Sequence, residues 1–139
     1  MIKVQENPFD VARELAAIKK DRLSVGASAI FVGSVRDMAD GRKLSAMTLE
    51  HYPGMTQKAL GQIEAEARER WPLDDVTIIH RYGRLEPGED IVLVIATSSH
   101  RDAAFKACEF LMDWLKTKAP FWKLEDTGPD AKWVDASEK

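Results

Sequence analysis

An α+β domain with three helices and a mainly antiparallel sheet is the fold class this sequence predicts. Three observations carry the prediction. Hydrophobic patterning runs helix, two strands, helix, two strands, helix, two strands along the chain. Strict strand–helix alternation, the mark of a parallel sheet, is absent. The third is bulk: 139 residues, 45% apolar and 31% charged, form an ordinary globular mixture long enough to bury a core. With no repeat, low-complexity tract or linker, residues 1–139 are read as a single domain.

The first helix is expected from Pro8 to about Asp21, with Asp10 as N-cap and Val11, Leu15 and Ile18 at helical spacing. The small, apolar run Gly26–Val35 reads as a buried strand ending near Arg36. Asp37–Lys43 is polar, contains an Asp-Gly pair and reads as a loop. Lys43–Tyr52 reads as a second strand, so these two strands are candidates for a hairpin with a long tip. Pro53-Gly54 breaks that strand, and a helix follows to about Trp71, with Met55, Ala59, Ile63 and Ala67 on one face. Val76–Tyr82 is a strand, Glu86–Glu89 (EPGE) a turn, and Ile91–Ala96 an apolar strand. Asp102–Lys118 is the third helix, stopped by Pro120. Phe121–Glu125 and Lys132–Asp135 suit a last hairpin.

Composition excludes several classes of function. A net charge of −3 disfavours nucleic acid, whose binders carry a basic excess to neutralise phosphate. A small anion needs only a local cationic pocket, which an acidic protein can build. No apolar run approaches the ~20 residues that span a bilayer. The start, MIKVQENPFD, has neither the basic nor the apolar portion of a secretory signal, so no membrane association and a cytoplasmic location are expected. The single cysteine, Cys108, rules out an internal disulfide framework and a cysteine cluster for zinc. His51, His80 and His100 lack a spacing such as HExxH, so no metal site is expected.

Four constellations remain. Phe31–Arg36 delivers an arginine to a strand end beside Gly33, where it can grip phosphate with two parallel hydrogen bonds; taken alone, a solvated strand-end arginine is the plainer account. Ser98-Ser99-His100-Arg101-Asp102 opens a helix, where unpaired N–H groups and the dipole favour an anion. Basic residues there oppose the dipole unless something negative joins them, which favours a binding role over a mere cap by Ser99 or Asp102. On the third helix, Lys116 falls on the stripe of Phe105 and Met112, and either snorkels outward or ends in a partly dry pocket. Cys108 shares that stripe and reads as core. In Ala119–Glu125, alternation sets Phe121, Lys123 and Glu125 on one side; Lys123 is either a surface partner of Glu125 or an active lysine in an aromatic setting. For His80 and His51, a core or interface histidine with a hydrogen-bond partner is the plainer account.

Together these signals gain weight. FVGSVRD, LEHYPGMTQKAL, VTIIHRYGRLEPGE, SSHRDAAFKACEFLMDWLK and APFWKLE, in this order, closely resemble the family of large, catalytic subunits of molybdopterin synthases. The resemblance runs from roughly Gly26 to Trp133. Its most specific elements are His100-Arg101 ahead of Phe105, and Leu115-Lys116 ahead of Pro120-Phe121-Trp122-Lys123 and Glu125. It implies an α/β-hammerhead-type fold and a homodimer of large subunits at the centre of a heterotetramer. It further implies a ubiquitin-like small subunit whose C-terminal thiocarboxylate supplies two sulfurs to cyclic pyranopterin monophosphate, with no cofactor. Carried over by position, substrate binding falls to Ser34, Val35, Arg36, His100, Arg101, Lys116, Lys123, Leu124 and Glu125. Lys116 and Lys123 are the catalytic pair, Lys116 toward the thiocarboxylate and Lys123 toward proton transfer at the pterin. In the family the pocket draws on both protomers, so His100 and Arg101 are candidates for the neighbour's site. Relatives often carry an arginine near the position of Ser137; here either Lys132 or Lys139 substitutes for it, or that contact is absent.

The resemblance agrees with the residues. Sulfur arriving on a partner's tail leaves no task for Cys108, and a phosphate-bearing substrate suits Arg36, His100 and Arg101. The competing expectation is a non-catalytic dimeric module that binds a ubiquitin-like tail or a phosphorylated metabolite. Two lysines in specific settings argue against it, since phosphate binding alone does not require both.

Overall fold

Asp10 starts the first helix as expected: its carboxylate accepts the N–H of Arg13 at 3.1 Å, and α1 runs Val11–Lys19. The computed structural model describes the backbone of residues 1–39, 41–43, 45–126 and 132–135, and side chains at these positions except 39, 42, 122, 124–126 and 132–135. α1 buries Ile18 and rests Val11 and Leu15 on a small core of Ile79, Leu93 and Ile95. α2 (Met55–Arg70) buries Thr56, Leu60, Ile63 and Ala67. That face lies slightly round from the expected one, because Met55 is 57% exposed while Thr56 turns inward. α3 (Arg101–Thr117) buries Ala103, Ala104, Ala107, Cys108, Leu111 and Leu115, and stops ahead of Pro120.

The strands form two four-stranded sheets. The first joins β1 (Ile2–Gln5), β6 (Asp75–Arg81), β8 (Asp90–Ser98) and β2 (Ala27–Ser34) in the order β1-β6-β8-β2. The second joins β10 (Lys132–Asp135), β9 (Phe121–Asp126), β5 (Ala46–His51) and β7 (Gly83–Leu85) in the order β10-β9-β5-β7. A short ribbon of β3 (Met38–Ala39) and β4 (Arg42–Lys43) lies within the segment read as a loop. Among the described residues all pairings are antiparallel except that of β1 with β6, so the α+β, mainly antiparallel expectation holds. The last hairpin pairs β9 with β10 as expected.

β8 carries the core. Val92, Val94 and Ala96 face the main core with α2 and α3, while Leu93 and Ile95 face α1. A strand covered on both sides must be apolar on both, hence its continuous run. Each such large side chain contributes about 1.5–3 kcal/mol by leaving water.

The expected hairpin of Gly26–Val35 with Lys43–Tyr52 does not form. β2 spends its pairing edge on β8, from Ala27 opposite Ser98 to Ser34 opposite Asp90, whereas β5 pairs with β7 and β9. A bulge at Gly33/Ser34 ends the ladder, and the turn before β8 then captures Val35: its N–H donates to the Glu89 carbonyl at 2.9 Å, and its carbonyl accepts from Gly88 N–H at 2.8 Å. The chain therefore leaves the first sheet at Arg36 instead of folding back along it.

Candidate active site

α3 returns along the sheet surface, and this sorts the expected site residues by position. It packs on both β2 and β8, and its middle meets the middle of β8, where Cys108 Sγ lies 4.0 Å from the Val94 carbonyl oxygen. His100 and Arg101 therefore sit at the Ser98–Ala27 end of the layer, and Lys116 lies toward the Asp90–Ser34 end. Seven strand steps separate the ends, roughly 23 Å at about 3.3 Å per residue.

At the Ser34 end, Ser34 Oγ donates to Asp90 Oδ1 at 2.8 Å. Val35 is 5% exposed and both its backbone groups are engaged by the 88–89 turn, so its part is to anchor the chain just before Arg36. Arg36 itself is exposed. The turn is braced in its own right. Arg81, buried, donates through Nε to the Glu6 carbonyl at 3.0 Å and through Nη1 to Glu89 Oε1 at 3.2 Å and the Asp90 carbonyl at 3.0 Å. Glu89 Oε2 accepts the Glu86 N–H at 2.7 Å. That hydrogen bond, with Arg81 second, holds the Glu89 carboxyl below its usual range. Arg81 thus serves the frame, as a partnered strand residue.

Lys116 is exposed, and so is Phe105, at 64%. The buried stripe of α3 passes instead through Ala104, Ala107, Cys108, Leu111 and Leu115, so Lys116 takes the outward alternative. Cys108 is core, as expected: burial pushes its thiol up to about 11, which leaves it protonated near neutral pH.

Lys123 takes the other course. It is 2% exposed on the same face of β9 as Phe121, itself 3% exposed. β9 is tied to the Asp90 end of the first sheet through Phe121. The His80 ring stacks on it at 3.8 Å and 18°, and the register sets His80 opposite Val92. His51 lies on the same cluster, 6.0 Å from Phe121 and 4.6 Å from Tyr82, with Nδ1 3.2 Å from Thr56 Oγ1. His80 Nδ1 lies 2.8 Å from the Arg81 carbonyl oxygen, an acceptor only, so Nδ1 carries the proton. Burial, then the nearby His51, lowers its pKa to about 4, and the ring is neutral at physiological pH. Both histidines are the partnered kind that the sequence favours. Their packing on Phe121, on the same face of β9 as Lys123, is what sequence reasoning missed; alternation in β6 and β9 was the available signal. The side chains of Leu124, Glu125 and Lys132 lie outside the described residues, as do Ser137 and Lys139 altogether.

At the far end, His100 is the N-cap of α3, in place of Ser99 or Asp102, with extended backbone (φ −129, ψ 146) and no side-chain cap among the described residues. His100 and Arg101 are both exposed, and Asp102 pairs with Lys106 at 3.2 Å. Of the described residues, Arg36 and Lys116 thus lie toward one end of the layer and His100 and Arg101 at the other, while buried Lys123 follows Phe121 on β9. Among the described residues no cluster of three or more His, Cys, Asp or Glu could hold a metal, and no helix is long and apolar enough to cross a membrane.

Comparison with known proteins assigns the chain. The MoaE protein family model matches residues 4–118. A molybdopterin synthase catalytic subunit from Pseudomonas aeruginosa is 58% identical over 134 residues, covering 96% of this chain and 89% of the relative. A molybdopterin biosynthesis MoaE protein from Burkholderia ambifaria superposes with a TM-score of 0.88 at 52% identity, covering 100% of this chain and 91% of that one. A molybdopterin synthase structure from Staphylococcus aureus gives 0.87 at 30% identity, with 95% of each chain covered. The chain belongs to the MoaE protein family.

Proposed function

We infer that this chain is the catalytic subunit of a molybdopterin synthase, a sulfurtransferase that works in the cytoplasm. A thiocarboxylated ubiquitin-like small subunit brings the sulfur, and cyclic pyranopterin monophosphate receives two of them. The observation that carries the reading is a buried lysine, Lys123, two residues along β9 from Phe121, whose ring stacks on His80. An electropositive site built without an available thiol suits a reaction whose nucleophile comes from a partner. Arg36, with Ser34 and Val35 anchoring its strand end, holds the substrate phosphate. Lys116, outward-facing, meets the thiocarboxylate terminus, and Lys123 moves the proton at the pterin; Leu124 and Glu125, next along the sequence, are assigned to substrate binding with it.

His100 and Arg101 lie roughly 23 Å from this group along the strands, too far to serve the same pocket within one chain. We assign them to the neighbouring protomer's pocket, which requires a homodimer at the centre of a heterotetramer. The test is reconstitution: the protein, small subunit bearing a C-terminal thiocarboxylate and cyclic pyranopterin monophosphate are mixed, and molybdopterin is assayed. Product formation is expected. A complex that binds the small subunit and the pterin yet makes no product overturns the reading in favour of a binding module.

A further inference from the structure

The start of α3 has no side-chain cap of its own among the described residues, yet it must present His100 and Arg101. We propose that Gly26 and Ser98 are the positioning residues of this cationic pair, a proposal that rests on the assignment of His100 and Arg101 to the substrate anion. Gly26 N–H donates to the Ser98 carbonyl at 2.9 Å. Ser98, 1% exposed, donates through Oγ to the Pro72 carbonyl at 2.7 Å and accepts the His100 N–H at 3.4 Å. The segment leading into the helix is thus clasped from the residue before β2 and from the α2–β6 connection.

Space at Gly26 is what makes the clasp possible. A β-carbon there would lie 2.1 Å from the Ser99 carbonyl oxygen and 3.0 Å from its carbonyl carbon. Both are backbone atoms, so no side-chain rotation relieves the overlap. Any residue other than glycine must push the Ser99 carbonyl away, and Ser99 is bonded directly to His100. The first turn resists weakly, since its Ala104 N–H to His100 carbonyl bond is long, at 3.4 Å. Gly26 is itself exposed, so the added methyl group burdens no core. A shift of about 1 Å in a substrate-holding group is enough to cost on the order of 10²-fold in rate.

The test is a mutant cycle read by single-turnover molybdopterin formation, with small subunit preloaded as thiocarboxylate and cyclic pyranopterin monophosphate as substrate. Gly26→Ala is expected to slow turnover about 10- to 100-fold. In the His100→Ala/Arg101→Ala background it is expected to add nothing further, because there is no pair left to misplace. Full wild-type turnover in Gly26→Ala overturns the proposal, and so does a Gly26→Ala effect that persists undiminished in the double background. Near-normal turnover of the His100→Ala/Arg101→Ala protein shows a different failure: the anion assignment falls first, and the positioning role falls with it. If Gly26→Ala does not fold, Ser98→Ala takes its place in the same cycle. It adds no atom and removes the hydroxyl clasp; a smaller loss that vanishes in the double background supports the role, and unchanged turnover overturns it.

Discussion

Lys123 is 2% exposed on a short strand, on the same face as Phe121, whose ring His80 stacks on and His51 meets at a tilt. Lysines are almost never buried so fully unless paired, and Lys123 does have an interaction partner. Lys123→Ala is expected to lower single-turnover rate by about 10²–10⁴-fold, the range of a general acid–base group. Lys123→Arg is not expected to rescue it, because a guanidinium stays protonated and differs in shape. Lys116→Ala should lose rate in the same way, although that side chain is exposed. Gel filtration should show both variants still assembling with the small subunit; near-normal rates would remove the lysine concerned from the mechanism. His80 offers a second test at this scale. Its folded pKa of about 4 lies below the ordinary 6.5, so between these values the unfolded chain binds the extra proton. The contribution is present above pH 6.5 and is lost as pH falls toward 4, on the order of 3 kcal/mol in full. Thermal melts of wild type and His80→Gln from pH 7 to pH 4 should converge on acidification, as the wild type loses more; parallel curves would contradict the buried, neutral imidazole.

At the scale of the element, α3 combines a good apolar face with a poor beginning. Its N-cap is a histidine with no side-chain cap among the described residues, and its first residue is an arginine, adverse to the positive end of the helix dipole. Asp102 in the first turn offsets this, but it is itself paired with Lys106. Folding alone gives no reason to place an arginine there; an anionic ligand would. Arg101→Ala is therefore expected to leave the melting temperature unchanged or slightly raised, by up to about 1 kcal/mol of relieved dipole repulsion, while turnover falls. A badly destabilised Arg101→Ala protein would mean that the arginine is structural and the pocket misplaced. α1 shows the contrast, since Asp10 caps it conventionally and nothing functional is asked of it.

For the whole molecule, the length of the β2–β8 ladder is what matters. It holds Ser34–Arg36 and His100–Arg101 at opposite ends of one layer, so a pocket using both must be shared between two copies. This has a quantitative consequence. Lys123→Ala and Arg101→Ala proteins, each nearly inactive, should regain activity when their protomers are exchanged. Each mixed dimer then has one pocket with both residues intact and one with neither. With half the dimers mixed, about one quarter of wild-type turnover is expected. No recovery after verified subunit exchange would place both groups of residues in the same chain's pocket.

Local physics made much of this legible before any coordinates. The cap at Asp10, the stop before Pro120 and the unbroken apolar run of β8 follow from nearest-neighbour chemistry and periodicity. Alternation alone put Phe121 and Lys123 on one face, and helical spacing put Cys108 in the core. Spacing was less reliable where a stripe borders solvent: Met55 and Lys116 sit one position round from the buried faces of α2 and α3, a rotation of about 100° that sequence does not resolve. Strand partners were beyond it as well. β2 and β5 are separated along the chain only by the short β3–β4 ribbon, yet each pairs with strands far away in sequence, because the bulge at Ser34 and the capture of Val35 turn the chain out of the first sheet. The sequence by itself determined which residues could carry charge to a substrate. Only the tertiary structure decided which of them share an end of the fold, because that depends on strand register and on the direction in which α3 returns across it.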